Sequence, residues 1–517
     1  MLHATADLRL SSAAGIHDCI ENEIAVRLAA KDPGIWGRRY VERTRARMGL
    51  VDVLRIARES VPGILAGVDS VRSANLNRIV LCGMGGSSLA PDVICRNFGV
   101  ELLVLDSSHP DMVAQAVQEL ERTFVIISSK TGTTIETVGH LRQFVQAFED
   151  AGLVANQHMA IVTDPESPFD TYGTDHEIPV ILGDPTIGGR YSALTAFGLV
   201  PSAIAGADIA RLLDEAISYD SLLQSNDESN PAIVLGAIIA ASARARLGVI
   251  AIDDRDYPGL GLWIEQLVAE SLGKRRTGVL PVIVSPPDGY VPQGAVRVIL
   301  GTDAAGHGSD TVTIDAPLGA QFLLWEYAVA IAAYLLDVNP FDQPDVEAAK
   351  EAARRTLAEG YETDEPDFID GTIQAWGVNS LTLLDAILQC RAAMPLDGYL
   401  VVTMYLDRWR HAGAELIANE VSRHILRPVT FAWGPQYLHS TGQLHKGGPL
   451  KGTFIQVTAQ PEQDFMVPRQ SYSWGQMLSA QASGDAAVLE GLGLTVLRLN
   501  LGDVESDLAR LREALLY

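Results

Sequence analysis

From Asn77 onward the chain repeats one local pattern: a short β-branched run, a turn-prone connection, then a longer stretch with helical spacing. The runs 78–82, 101–105, 123–128, 159–163 and 178–182 are apolar along their length instead of alternating. Such runs suit strands buried on both faces, as in a parallel sheet covered by helices on each side. A second block repeats the rhythm at 249–252, 281–284, 297–300 and 312–314 and closes on a long apolar helix over 319–336. The acidic stretch 359–370 reads as a boundary, and a third block follows with runs at 399–406, 429–433, 453–457 and 494–499. The first 75 or so residues read as helical and connective, broken at Asp32-Pro33-Gly34 and resuming over 40–57. The expected fold is therefore α/β: a helical segment 1–75, α/β sandwich domains at 76–220 and 221–365, and a C-terminal α/β domain at 366–517, built on parallel sheets.

At 517 residues the chain is too long for one hydrophobic core, which agrees with several blocks. Its 39 Lys and Arg face 64 Asp and Glu, a net charge of −25. Nucleic acid and anionic membranes are bound mainly through Lys and Arg, so neither is expected as a partner. The four cysteines are widely spaced with no C-x-x-C pair, as in a reduced, cytoplasmic protein. Residues 1–12 lack a basic region followed by an apolar run, so no signal peptide is read. The apolar stretches near 231–243 and 327–336 fall short of the roughly 20 residues that cross a bilayer. The eleven histidines show neither H-E-x-x-H nor a facial-triad spacing, so neither metal nor cofactor is expected.

Four segments carry chemistry. The first run leads into Gly83-Met84-Gly85-Gly86-Ser87-Ser88; glycines between a strand and a helix expose N–H groups that suit an anion. The third run leads into Ser128-Ser129-Lys130-Thr131-Gly132-Thr133-Thr134. Many short donors and one positive charge at a helix start suit a phosphate monoester. In Gly188-Gly189-Arg190-Tyr191-Ser192 the glycines allow close backbone approach, and the guanidinium can stabilise an oxyanion. In 263–274, Gln266 and Glu270 lie four apart, on one helix face, with Glu265 about a third of a turn round.

Together these segments resemble the phosphoglucose isomerase family, with its Gly-x-Gly-Gly-Ser, Ser-Lys-Thr-x-Thr-Thr, Gly-Gly-Arg-Tyr-Ser and Glu-Ser-x-Gly-Lys motifs in the same order. A fifth match is Asp337-Val338-Asn339-Pro340-Phe341-Asp342-Gln343 with Lys350. The resemblance implies two sugar-isomerase domains and interconversion of glucose 6-phosphate and fructose 6-phosphate through a cis-enediol. It assigns the proton shuttle to Glu270 and enediolate stabilisation to Arg190. Ring opening would fall to Lys350 and a histidine; Ser87, Ser129, Lys130, Thr131 and Thr134 would hold the phosphate, with Gly189, Gln266 and Gln343 positioning the sugar and Gly85, Gly86 and Thr133 also touching the substrate. The family's histidine segment is missing between Glu270 and Gln343, where only His307 occurs. His445, in Gly442-Gln443-Leu444-His445, is the first replacement and His439 the second, both supplied by the third block.

The segments 31–37, 47–52, 439–449 and 481–485 resemble the isomerase half of fused transaldolase–phosphoglucose isomerases, here expected to stand free of the transaldolase half. Ser88 stands where many members have Asp, and Gly132 where many have Phe. A glycine there would make the loop roomier, which keeps a broader phosphoglucose/phosphomannose isomerase in view beside a non-catalytic phosphosugar sensor. Ordinary members are dimers that share the histidine segment; a histidine supplied in the same chain leaves monomer and homodimer both open.

Overall fold

The computed structural model describes residues 2–245, 248–284, 289–302, 310–359 and 365–517. The chain opens on a strand, β1 (Leu2–Ala4), ahead of the helix Ala6–Glu21. The continuous helix expected over 40–57 is instead two short 3₁₀ turns and the helix Val41–Arg45, followed by the helix Val53–Ser73. The interruption falls at Gly49, whose N–H donates to the Thr186 carbonyl at 3.2 Å. A side chain there would collide with Thr186 and Ile187, so the segment bends to lie against that loop.

Strands β2 (Arg78–Gly83), β3 (Leu103–Leu105), β4 (Thr123–Ser128), β5 (Met159–Thr163) and β6 (Val180–Leu182) form the first sheet, all parallel, in the order β3-β2-β4-β5-β6. Strands β7 (Val249–Asp253), β8 (Leu280–Ile283), β9 (Val296–Leu300) and β10 (Thr311–Ile314) form the second, with β1 paired antiparallel to β10 at its edge. The third has β11 (Phe368–Asp370), β12 (Ile373–Trp376), β13 (Tyr399–Tyr405), β14 (Val429–Trp433), β15 (Gly452–Ala459) and β16 (Thr495–Leu501). Its order is β11-β12-β16-β15-β13-β14; the last four strands are parallel and β11 and β12 run antiparallel at one edge. The expected parallel strands are present, each shifted by no more than two residues at an end; the three antiparallel strands β1, β11 and β12 are additions to that reading.

One continuous apolar cluster runs through the first and second sheets and the N-terminal helices, while the third sheet is built round its own cluster. The helix Leu318–Leu335 is apolar on all sides, as a helix must be when protein surrounds it. Among the described residues it is the one helix long and apolar enough to cross a membrane, and it is 89% buried inside the protein. It packs on the helix Pro231–Ala243, which is likewise apolar all round. The third block docks through the helix Trp474–Gly491, which lies on the helix Glu347–Glu359. All four cysteines are buried and unpaired.

Candidate active site

In the first sheet, the first and third strands in chain order are neighbours, and connections leave them toward opposite edges. Ligands of open α/β sheets bind at such a switch point, outside the carboxyl ends of the strands. Parallel pairing sets Gly83 opposite Ser128, so the glycine loop and the hydroxyl loop emerge side by side. Gly85 has φ +55, and a Cβ there would lie 2.5 Å from the His439 carbonyl oxygen and 2.8 Å from Gln266 Nε2. A Cβ on Gly86 would run into the carbonyl of Gly189. These glycines therefore let three segments meet backbone to backbone, and Ser87 is almost fully buried among them.

In the hydroxyl loop, Ser129 Oγ donates to Thr134 Oγ1 at 3.3 Å, and the exposed Thr131 and Thr133 hydroxyls lie 2.8 Å apart. Thr134 precedes the helix Ile135–Asp150, whose first N–H groups are available to an anion. Lys130 is differently placed from the phosphate ligand expected of it. Its ammonium donates to Asp164 Oδ1 at 2.7 Å and to the Asp184 carbonyl at 2.8 Å, so it braces the loop with its charge already matched. Gly132 has φ +64, and a Cβ there would lie 2.9 Å from the Phe169 nitrogen and 3.2 Å from its Cβ, while a cavity of about 240 Å³ is lined by Gly132, Phe169 and Tyr172. Phe169 stands where a side chain at position 132 would be.

The helix Leu260–Leu272 follows β7 and carries Gln266 and Glu270 on one face. Gln266 Nε2 donates to Glu270 Oε2 at 3.2 Å and to the His439 carbonyl at 2.8 Å. Gln266 Oε1 is buried without a partner, an acceptor available to a ligand hydroxyl. Arg190 Nη1 lies 3.0 Å from Glu270 Oε2. Its Nη2 donates to the Asp342 carbonyl at 2.9 Å and to Gln343 Oε1 at 3.0 Å. Gly189 meets nothing within 4 Å of where a Cβ would stand, leaving the backbone open beside the guanidinium.

Lys274, quoted in the fourth motif but given no role, belongs to this cluster. Its ammonium is 3.0 Å from Asp342 Oδ1 and donates to the Asn339 carbonyl. Burial, helped by the Arg190 charge and opposed by Asp342 and Glu270, pulls its pKa down to about 7. Glu265 faces elsewhere. It lines a cavity of about 1130 Å³ with Arg96, Trp433 and Tyr437, and burial pushes its carboxyl up to about 8.

The two candidate histidines have opposite surroundings. His439 lies on a 3₁₀ turn after β14, its backbone against Gly85 and its Nε2 3.0 Å from Glu136 Oε1. Glu136 is in the first turn of the helix after the hydroxyl loop and is 1% exposed. Burial works to raise its pKa, but the charge and hydrogen bond of His439 hold it below the ordinary carboxylate value. His445 is packed among Tyr399, Tyr437 and Phe454, with Nδ1 3.0 Å from the Tyr399 hydroxyl. Burial and the neighbouring Lys446 pull its pKa down to about 3, so it is a neutral core side chain. The structure brings His439, and not His445, to Gly85 and Gln266. Glu136 was missed because a carboxylate in a first helical turn reads as a favourable helix charge. Lys350 stands in the helix Glu347–Glu359; its side chain, and all of His307, lie outside the described residues.

This architecture defines a doubly wound α/β protein of the sugar-isomerase type. The sequence model of the phosphoglucose isomerase family matches residues 53–291. The chain is 29% identical over 362 residues to a glucose-6-phosphate isomerase of Citrifermentans bemidjiense, covering 57% of this chain and 68% of that one. It is 27% identical over 356 residues to a probable glucose-6-phosphate isomerase of Haloarcula marismortui, covering 57% and 81%. Among solved structures, the hypothetical protein TT0462 from Thermus thermophilus superposes with a TM-score of 0.58 at 23% identity, over 69% of this chain and all of that one. A glucose-6-phosphate isomerase from Chlamydia trachomatis gives 0.55 at 17%, over 68% and 85%. Over residues 53–291 the chain is similar to the phosphoglucose isomerase family.

Proposed function

We propose that the protein interconverts D-glucose 6-phosphate and D-fructose 6-phosphate through a cis-enediol. The observation that carries this is the buried Arg190–Glu270 pair at 3.0 Å, set between the anion-binding loops and a histidine that is itself paired to a carboxylate. The phosphate is held by Ser87, Ser129, Thr131, Thr133 and Thr134 with the loop N–H groups, while Lys130 holds the loop's shape. Gln266, Gln343 and the Gly85, Gly86 and Gly189 backbone position the sugar. Glu270 takes a proton from one of the two carbons and returns it to the other, which general-base catalysis by one well-placed carboxylate permits. Arg190 stabilises the charge on the enediolate oxygen as it forms.

His439, held by Glu136, exchanges the proton between ring oxygen and hydroxyl that opens the sugar ring; Lys350 shares that step by family resemblance. The region 366–517 acts as a domain that supplies His439 within the same chain, so no second subunit is needed for it. Both monomer and homodimer accommodate this scheme. Kinship to the isomerase half of fused transaldolase proteins, and a cytoplasmic location, complete the reading; four buried, unpaired thiols support the latter.

A coupled assay for glucose 6-phosphate formation from fructose 6-phosphate tests the proposal. Sustained turnover is expected. A folded protein that binds fructose 6-phosphate and does not convert it would overturn the enzyme reading in favour of a sensor. Mannose 6-phosphate turning over as fast would favour the broader phosphoglucose/phosphomannose reading over the narrower one.

A further inference from the structure

We propose that Gln481, on the third block's helix Trp474–Gly491, is a positioning residue for ring opening that acts by clamping Glu136 against His439. The inference rests on the isomerase reading and on the role given there to His439. Gln481 Nε2 donates to Glu136 Oε1 at 2.6 Å, the same oxygen that meets His439 Nε2 at 3.0 Å. The Gln481 carbonyl in turn accepts from Ser108 Oγ at 2.6 Å. Ser108, Gln481 and Glu136 are all at most 4% exposed.

The chain of bonds has only one consistent direction. With Ser108 donating to the Gln481 carbonyl, the NH₂ end must face Glu136; a reversed amide would set its oxygen against a carboxylate oxygen. An ionised carboxylate only accepts, so His439 must donate from Nε2. That leaves Nδ1 as the ring nitrogen able to exchange a proton with the sugar. A hydrogen bond to the other nitrogen sets a histidine's tautomer in this way.

The remaining titratable neighbours of Glu136 offer no replacement charge. His140 faces it from the same helix and is pulled down to about 4 by burial, hence neutral. Tyr405 and Tyr472 feel its charge from the third block, and both phenols are pushed up by burial, hence also neutral. The Gln481 amide and the His439 ring are therefore the two groups that hold Oε1 in place. Losing the amide frees Glu136 to rotate and His439 to lose its alignment.

The test compares wild type, Gln481→Met and His439→Gln on two substrates. One is fructose 6-phosphate. The other is 5-deoxyfructose 6-phosphate, which lacks the hydroxyl that closes the furanose ring and so is already open. Deuterium uptake at C1 from D₂O reports enediol formation with either. Hydrogen bonds to charged groups are worth about 1.5–3 kcal/mol, which converts to roughly a tenfold to hundredfold slowing on fructose 6-phosphate for Gln481→Met. The open-chain substrate should keep its rate within about threefold. Ser108→Ala, which frees the amide without shortening it, should show the same split to a smaller extent. Equal slowing of both substrates, or of neither, in both the Gln481 and Ser108 variants would overturn the inference. If His439→Gln itself shows no split, the ring-opening role of His439 falls, and this inference with it. A split for His439→Gln alone removes only the part given to Gln481.

Discussion

Gly85→Ala tests how the third block is seated on the active site. A Cβ at this position would lie 2.5 Å from the His439 carbonyl oxygen, against the 3.0 Å below which Cβ contacts are essentially never seen, so something must move by about 0.5 Å. The atom in the way is backbone, and the second contact, Gln266 Nε2 at 2.8 Å, is the group that ties that carbonyl to Glu270. Relief therefore displaces His439, or breaks the Gln266 bridge and leaves the carbonyl short of a donor. Catalytic groups must be held within about 0.5 Å of productive geometry, and a 1 Å misplacement costs on the order of a hundredfold. The expected loss in kcat/KM is thus about tenfold to hundredfold. A non-glycine residue at φ +55 also carries strain of about 1–2 kcal/mol, enough to lower Tm by a few degrees without unfolding the chain. Steady-state rates on fructose 6-phosphate, alongside a thermal melt, read both effects. Activity within about twofold of wild type in a folded variant would refute the close seating of His439 on Gly85.

The histidines should separate cleanly. His445→Phe fills a site already lined by aromatic rings and should keep activity within about threefold, whereas His439→Ala should lose roughly a hundredfold or more; steady-state kinetics on fructose 6-phosphate decide. Lys446 and Asp485 form an ion pair at 2.6 Å, both at most 2% exposed, with burial pulling the lysine pKa down and the aspartate up. Removing one partner should cost about 3–5 kcal/mol, while Lys446→Met with Asp485→Leu should recover most of it, as read by urea unfolding. Glu265 keeps its proton in the folded chain up to about pH 8, while its unfolded value is near 4.5. The unfolded chain therefore binds fewer protons across that interval, and the contribution of Glu265 to stability falls as pH rises from about 4.5 to about 8. Glu265→Gln should flatten that part of the pH–stability curve and raise Tm at pH 8; an unchanged slope would contradict the burial argument.

The parallel strands were legible because each is a run of residues buried on both faces, and that demand shows directly in composition. β1, β11 and β12 were not: runs of three or four residues carry no period, and they form only because open sheet edges stand nearby. At the site, the two loops were legible from glycines and hydroxyls at strand ends, and Gln266 and Glu270 from their helical spacing. Distances across the fold were not. Lys130 reads as a phosphate ligand until Asp164 and the Asp184 carbonyl stand within 2.8 Å of its ammonium. Gly132 reads as a site for a bulkier side chain until Phe169 stands where that side chain would be. His439 and His445 differ by six positions in sequence and by everything in surroundings, because a short 3₁₀ turn and a helix point the two into a cleft and a core.

Glu270→Gln tests the central claim most directly, since it keeps the shape of the side chain and removes only its ability to carry a proton. The measurement is deuterium uptake at C1 of fructose 6-phosphate in D₂O, with glucose 6-phosphate formation followed in the same sample. Both should collapse together, by roughly ten-thousandfold, in a protein that still binds the sugar phosphate. Retention of either exchange or isomerisation near the wild-type rate would contradict Glu270 as the proton shuttle, and with it the account of how Arg190 and the two loops serve one reaction.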